Sequence, residues 1–248
     1  MNLSPDFGWL LAVGLVAQLV GRSVGMGYGL TASTFLAALG LPPALASATV
    51  HGAVVVRCGV LSAANGWFRH IDRRVIWSLL LPGVAGGIAG ASVLVQVSAE
   101  ALRPLVWAYL LVTSLFVLGR IILNRPPLTP GAPGPALGAA AGALDAIGGG
   151  GWGTLISSSM VARGLSQELA ARIASAVELF VATAISVTLG VHFGAPPLDL
   201  VAALLIGGAI GTPLATWVTR HVPQRAAVIS VALVVFALGT TGLVASLT

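Results

Sequence analysis

Long apolar runs fill almost the whole of this 248-residue chain, and only short polar stretches separate them. Most runs approach or exceed the roughly 20 residues that an α-helix needs to cross the hydrocarbon core of a bilayer. The pattern therefore predicts an all-α polytopic membrane protein with almost no room for a soluble domain. The predicted segments are residues 8–40, 44–66, 75–97, 104–123, 136–162, 168–191, 198–218 and 226–246.

Glycine-rich turns interrupt two of these segments, the first and the fifth. The turn at residues 25–29 recurs 124 positions later at residues 149–153, and nine of 22 positions are identical between residues 25–46 and 149–170. Glycine breaks in corresponding hydrophobic segments are the best sequence pointer to a solute-binding site in a membrane protein with internal repeats. The chain is thus predicted to consist of two related halves.

The two halves are predicted to be transmembrane repeats joined by one linker. A second internal match, residues 86–90 with 207–211, lies at an offset of 121. Between the halves, residues 124–135 carry five prolines and two glycines, and proline cannot continue a helix. The first repeat is therefore residues 1–123, and the second is residues 136–248.

Composition and charge narrow the class of protein further. Only 8% of the residues are charged, 57% are hydrophobic, and the mean hydropathy is +1.00. The net charge is +5, but all twelve basic residues are arginines without a basic stripe, so we expect no nucleic-acid partner. The single cysteine, Cys58, excludes an internal disulfide and a multi-cysteine metal site, and no metal or cofactor is expected. Residues 1–7 lack a basic signal-peptide region, so the first segment is expected to stay in the mature protein.

Two membrane topologies are compatible with the segments. If all eight segments span, the halves are parallel and ten flanking arginines divide five against five between the two sides. If the broken segments are re-entrant hairpins, each half has three spans, the halves are inverted, and nine of those arginines face the cytoplasm, with Arg103 alone outside. The positive-inside rule favours the inverted version, which places both termini outside. Residues 8–24 are long for half of a hairpin, so a spanning first segment stays an alternative.

The two glycine turns are predicted to form an anion site. Non-helical backbone at membrane depth is tolerated where it is buried in protein or lines a cavity. Helices that restart after the turns, from about Leu30 and Thr154, would present unpaired N–H groups and positive dipole ends to that cavity. The alternative is that the glycines only permit close helix packing, which we favour for Gly86 with Gly90 and for Gly207 with Gly211. The candidate substrate-binding residues at the turns are Gly25, Gly27, Tyr28, Gly29, Ser33, Gly149, Gly150, Gly151, Trp152, Gly153, Thr154 and Ser157.

Five ionisable residues lie inside the predicted segments and away from their ends, where a charge is costly and usually has a partner or a function. We expect Arg22 to pair with Asp145 across the two turns, and Arg57 and Glu178 to flank one cavity because their helices correspond in the repeat. In the functional interpretation Arg22 or Arg57 binds the anion, and Glu178, Asp145 or His51 carries a proton. In the structural interpretation the pairs are salt bridges that neutralise buried charge.

The duplicated turns resemble a known family. Each is followed about 11 residues later by Gly-Leu, at Gly40 and Gly164, and this layout resembles the sulfite exporter TauE/SafE family of bacterial membrane proteins. Residues 145–153 and 47–51 resemble one subgroup of it. The resemblance implies export of small sulfur-containing anions, such as sulfite or organosulfonates, coupled to ion gradients. This chain departs from the subgroup at Val54, where a glutamate is common, and at Thr154, where proline is frequent.

The sequence therefore predicts a proton-coupled secondary transporter of small sulfur-containing oxyanions, with several passes through the bacterial inner membrane. Its expected partners are a small anionic substrate and the lipid bilayer, and a homodimer is compatible with the sequence. The alternatives are a permease for another small anion, such as a carboxylate, and an anion channel of the same fold. A membrane enzyme is disfavoured, because neither Gly-x-Ser-x-Gly nor His-Glu-x-x-His occurs in the chain.

Overall fold

A computed structural model describes residues 7–24, 27–64, 72–122 and 133–247. Within these residues the chain is helical, and it forms ten α-helices and no strand. The helices of the first repeat are α1 (Phe7–Val24), α2 (Tyr28–Ala38), α3 (Pro43–Ala64), α4 (Arg73–Gln96) and α5 (Ala99–Ile122). Those of the second repeat are α6 (Pro135–Gly148), α7 (Trp152–Ala162), α8 (Gln167–Phe193), α9 (Leu198–His221) and α10 (Gln224–Leu247).

Both repeats have the same order of elements, two short helices around a glycine turn and then three long helices. In the described part of the chain, five helices are long and apolar enough to cross a membrane, namely α3, α4, α5, α8 and α9. The predicted all-α polytopic membrane fold is therefore confirmed. The helices after the turns begin at Tyr28 and Trp152, two residues earlier than the sequence indicated.

Helices α1 and α2, on either side of the first glycine turn, run in opposite directions. Trp9 and Val13, near the start of α1, line the same surface groove as Phe35 and Leu39 at the end of α2. At the other end of the pair, α1 approaches α2 closely at Gly21. Helices α1 and α2 thus form an antiparallel hairpin, the geometry that a re-entrant segment requires. The inverted relation between the repeats stays a prediction.

The helix before each glycine turn packs against the other repeat. Helix α1 packs along α9, and α6 packs along α4. Glycines permit both crossings, because a Cβ atom at Gly207 would overlap the carbonyl oxygen of Leu11, and one at Gly86 would overlap that of Ala139. This exchange of contacts brings the two glycine turns to the middle of the bundle, between the long helices.

Candidate functional site

The two glycine turns contact each other. A Cβ atom at Gly29 would lie 2.9 Å from the Cα atom of Gly150, and one at Gly27 would lie 3.7 Å from Oγ1 of Thr154. Such contact needs positive φ angles, which are 98° at Gly27 and 150° at Gly150 and which glycine adopts without strain. The starts of α2 and α7 are therefore neighbours. Gly25 and the side chain of Arg22 lie outside the described part of the structure.

A small cavity lies between these two helix starts. Its volume is about 20 Å³, which is room for about one water molecule. It is bounded by both turns and by the facing sides of α3 and α8. Nine of the candidate residues line it: Gly27, Tyr28, Gly29, Arg57, Gly151, Gly153, Thr154, Ser157 and Glu178.

The small cavity is lined by hydrogen-bond donors that have no partner. The first intrahelical bonds run from the N–H of Thr31 to Gly27 and from the N–H of Leu155 to Gly151, both at 2.9 Å, so the preceding amides lie before the helical ladder. The hydroxyls of Thr154 and Ser157 are buried without a partner among the described residues, as is Nε of Arg57. Buried donors of this kind are rare and costly, so their convergence indicates a place for a ligand or water.

Arg57 and Glu178 occupy different positions on the wall of the small cavity, as the repeat predicts. The guanidinium of Arg57 stacks on the Tyr28 ring, with Cζ 4.9 Å from the ring centroid. The Glu178 carboxylate accepts a hydrogen bond from the Cys58 thiol at 3.6 Å. Both side chains are described, and no ion pair within 4.0 Å joins them. The salt-bridge interpretation is therefore wrong for Arg57 and Glu178.

Asp145 pairs with His51, a partner that the sequence did not indicate. Nε2 of His51 lies 3.1 Å from Oδ2 of Asp145, and the two side chains are 1% and 2% exposed. The pairing predicted between Asp145 and Arg22 involves a side chain outside the described residues. His51 lies on the same helix as Arg57 but contacts α6, just before the second glycine turn.

The hydrogen bonds of His51 determine how many protons His51 and Asp145 hold together. Nδ1 lies 2.8 Å from the carbonyl oxygen of Ser47, and because a carbonyl only accepts, Nδ1 carries hydrogen. The contact between Nε2 and the Asp145 carboxyl then requires one further proton, shared by the two groups. Oδ1 of Asp145 accepts from the N–H of Trp152 at 2.8 Å, so the carboxyl also caps α7.

The two helix starts differ in their caps. Subtracting the repeat offset, 145 − 124 = 21, places Gly21 at the position equivalent to Asp145. The first repeat thus has no acid there, and the residue directly before α2, Gly27, has no side chain that could cap. Among the described residues, the start of α2 consequently lacks the carboxyl cap that Asp145 gives to α7.

Three hydroxyl groups hold carbonyls of the second glycine turn and of the last turn of α6 before it. Ser33 donates to the carbonyl of Gly149, Ser47 to that of Ala146 at 2.7 Å, and Tyr109 to that of Gly150 at 3.2 Å. These bonds fix the orientation of the peptide groups in the turn. Tyr109 was missed by the sequence analysis, because one tyrosine in a long apolar helix gives no signal of its partner.

Trp152 packs in the core and does not line the small cavity. Its side chain is fully buried, its Nε1 donates to the carbonyl of Ala174 at 3.1 Å, and its ring lies against Gly83. The expectation that Trp152 and Tyr28 both wall the cavity is thus met by Tyr28 alone. Trp152 contributes its backbone N–H to the turn instead.

A much larger cavity, of about 490 Å³, reaches the other side of the second turn. Ser33, Ser47 and Gly149 lie at its inner end, and Arg103 and Ser246 lie near the ends of their helices. Adding the offset, 33 + 124 = 157 and 47 + 124 = 171, and Ser157 and Ala171 both line the small cavity. The two cavities are therefore counterparts in the repeat, one wide and one nearly closed.

Paired helix breaks around a buried polar cavity are the arrangement that secondary transporters use to bind solutes. The comparisons agree with this class. The chain matches the family model described as Sulfite exporter TauE/SafE over residues 10–241, so it belongs to that family of multi-pass membrane transporters.

One curated relative is a probable membrane transporter protein, YtnM, from Bacillus subtilis (strain 168). It is 31% identical to this chain over 218 residues, which cover 84% of this chain and 73% of the relative. No solved structure matches the chain. Together with the membrane-spanning helices, the family identifies the protein as a multi-pass transporter of the cell membrane.

Proposed function

We propose that this transporter carries small sulfur-containing oxyanions, sulfite or organosulfonate-like, across the bacterial inner membrane in a proton-coupled reaction. The observation that carries the proposal is the small cavity, where two helix starts meet beside buried donors that have no partner. Membership of the sulfite exporter family supports the choice of anion.

The donor set suits an oxyanion. Amides at the starts of α2 and α7 point partial positive charge at the cavity, and the Thr154 and Ser157 hydroxyls and Nε of Arg57 are available there. An oxyanion has several acceptor oxygens on one small centre, so it can satisfy donors that converge from α2, α3 and α7. A neutral solute would gain nothing from the charge of Arg57.

Alternating access follows from the unequal cavities. The small cavity holds about one water, less than an oxyanion needs, whereas the large cavity is wide enough to admit one. We take this conformation as open through the large cavity. Rocking of one repeat against the other would widen the small cavity and narrow its counterpart, as in transporters that are built from inverted repeats.

The test is uptake of labelled sulfite, methanesulfonate and acetate into proteoliposomes that contain the full chain. We expect transport of the sulfur oxyanions, and at least a fivefold rise in KM in Thr154→Val and Ser157→Ala, because each removes a donor from the site. Ser186→Ala is the matched control, since its hydroxyl is also buried, has no partner in the described part of the chain, and does not line the small cavity.

Two results would reject the proposal. One is a wild-type protein that moves no sulfur oxyanion. The other is a Thr154→Val, Ser157→Ala double variant that transports like the Ser186→Ala control. Faster transport of acetate than of either sulfur compound would favour the carboxylate permease, and large currents without gradient coupling would favour a channel.

A further inference from the structure

We infer that the bound anion and the negative charge of Glu178 compete for the same amide groups at the start of α7, so that the site fills with an anion only when Glu178 has taken up a proton. This inference rests on the proposed function, because it assumes that an anion enters the small cavity. It assigns the proton that accompanies the anion to Glu178 and not to the pair formed by His51 and Asp145.

The first support is the position of the Glu178 side chain. A Cβ atom built at Gly153 would lie 3.7 Å from one carboxylate oxygen of Glu178 and 3.8 Å from the other. Gly153 lies in the first turn of α7, before the first intrahelical bond, where N–H groups have no helical acceptor. The carboxylate therefore stands beside the amides that would hold the anion.

The second support is the charge around Glu178. Its electrostatic neighbours are Asp145 on α6 and Arg57, His51 and Cys58 on α3. The other helices packed against α8 add no charged group near Glu178, because α7 has no charged residue and α4 has none between Val75 and Gln96. Arg57 does not pair with Glu178, so an anion placed between them would meet one cation and one carboxylate.

The third support is that Asp145 is already committed elsewhere. Its two carboxylate oxygens are bound to His51 and to the N–H of Trp152. Glu178 has only the thiol of Cys58 as a hydrogen-bond donor among the described side chains. Glu178 therefore has the weaker set of hydrogen-bond partners and also borders the small cavity. Of the two carboxyls, it is the one free to change its charge.

The proton step is simple to balance. A proton passes from hydronium in the aqueous phase to the Glu178 carboxylate: one O–H bond of hydronium breaks and leaves water, and one O–H bond forms on the carboxyl, which becomes neutral. The protonated carboxyl can then donate a hydrogen bond to the anion, where the carboxylate would repel it. Anion and proton consequently enter together and leave together.

The test measures binding of methanesulfonate, whose own charge is constant, to the purified full chain from about pH 5 to about pH 8. We expect wild-type affinity to fall at least tenfold over this range. Glu178→Gln should bind tightly and equally at both ends, because its side chain is always neutral. Glu178→Asp should keep the pH dependence, and the exposed Glu168→Gln on the same helix should match wild type.

A second measurement follows the proton itself. Wild-type proteoliposomes with an internal pH dye should acidify as methanesulfonate enters, and Glu178→Gln should exchange labelled for unlabelled anion without moving protons. These variants are compared only after monodisperse elution shows that they fold.

Several results would overturn the inference while leaving the proposed function intact. They are wild-type binding that does not change with pH, a Glu178→Gln variant that keeps the wild-type pH profile, and a folded Glu178→Gln variant that binds no anion at any pH. If Glu178→Gln does not fold, the wild-type profile and the proton signal decide. A wild-type chain that transports no oxyanion would instead overturn the proposed function.

Discussion

Asp145 connects three elements at the level of single residues. Its carboxyl belongs to α6, binds His51 on α3, and caps α7 across the glycine turn. Both partners are buried, so removing the carboxyl would leave a histidine nitrogen and a backbone N–H without hydrogen bonds. The pair therefore holds the second turn in place, whether or not it also moves protons.

We expect Asp145→Ala to destabilise the protein by about 3 kcal/mol, within the range for breaking a buried pair. Asp145→Asn should cost about 1 kcal/mol or less, because its amide oxygen can accept from Trp152 and its NH₂ group can donate to Nε2 of neutral His51. Thermal unfolding in detergent compares the two. Asp199→Ala, at an exposed position on α9, is the control. An equal loss of stability in all three variants would contradict this account.

Glycine has a packing function where the helices cross, at the scale of elements. Gly207 and Gly208 are neighbours in the middle of α9, but only Gly207 faces α1 closely. A Cβ atom at Gly207 would overlap the carbonyl of Leu11, whereas one at Gly208 would meet its nearest atom, the carbonyl oxygen of Gly14, at 3.8 Å. The two positions thus form a matched pair in one helix.

Gly207→Ala should lower stability by about 1–3 kcal/mol, because the added methyl group pushes α1 away from α9. Gly208→Ala should be neutral or stabilising by up to about 1 kcal/mol, since alanine is the better helix former and the space is free. Melting temperatures of the two variants in the same detergent test this difference. The opposite order would show that the crossing of α1 and α9 differs from the one described.

Helices were predictable from sequence because long apolar runs have few other stable forms in a membrane. Their ends were less predictable. Helix α5 begins at Ala99, five residues before the predicted segment, and therefore contains Pro104 in its second turn. The glycine turns identified most of the small cavity, since the repeat marks them twice. The partner of Asp145 was not predictable, because it depends on how α3 crosses α6, and residues 94 positions apart carry no local signal.

The two cavities differ in width, so the two sides of the whole molecule are not equivalent. In the inverted topology the ends of α2, α5 and α10 that surround the large cavity face outside, together with Arg103, the one outward arginine of that topology. The parallel topology puts the end of α10 inside. The side on which the end of α10 lies therefore distinguishes the two arrangements, and a position on this helix at the large cavity can report it.

Single cysteines can report that side, because Cys58 is the only native cysteine and Cys58→Ala gives a clean background. In this background we expect Ser246→Cys, at the large cavity, to react with a membrane-impermeant maleimide in intact cells. Arg74→Cys, exposed at the start of α4, should react only after permeabilisation, because the positive-inside rule places it in the cytoplasm. If both cysteines need permeabilisation, the halves are parallel, and the large cavity cannot be the outer entrance to the glycine turns.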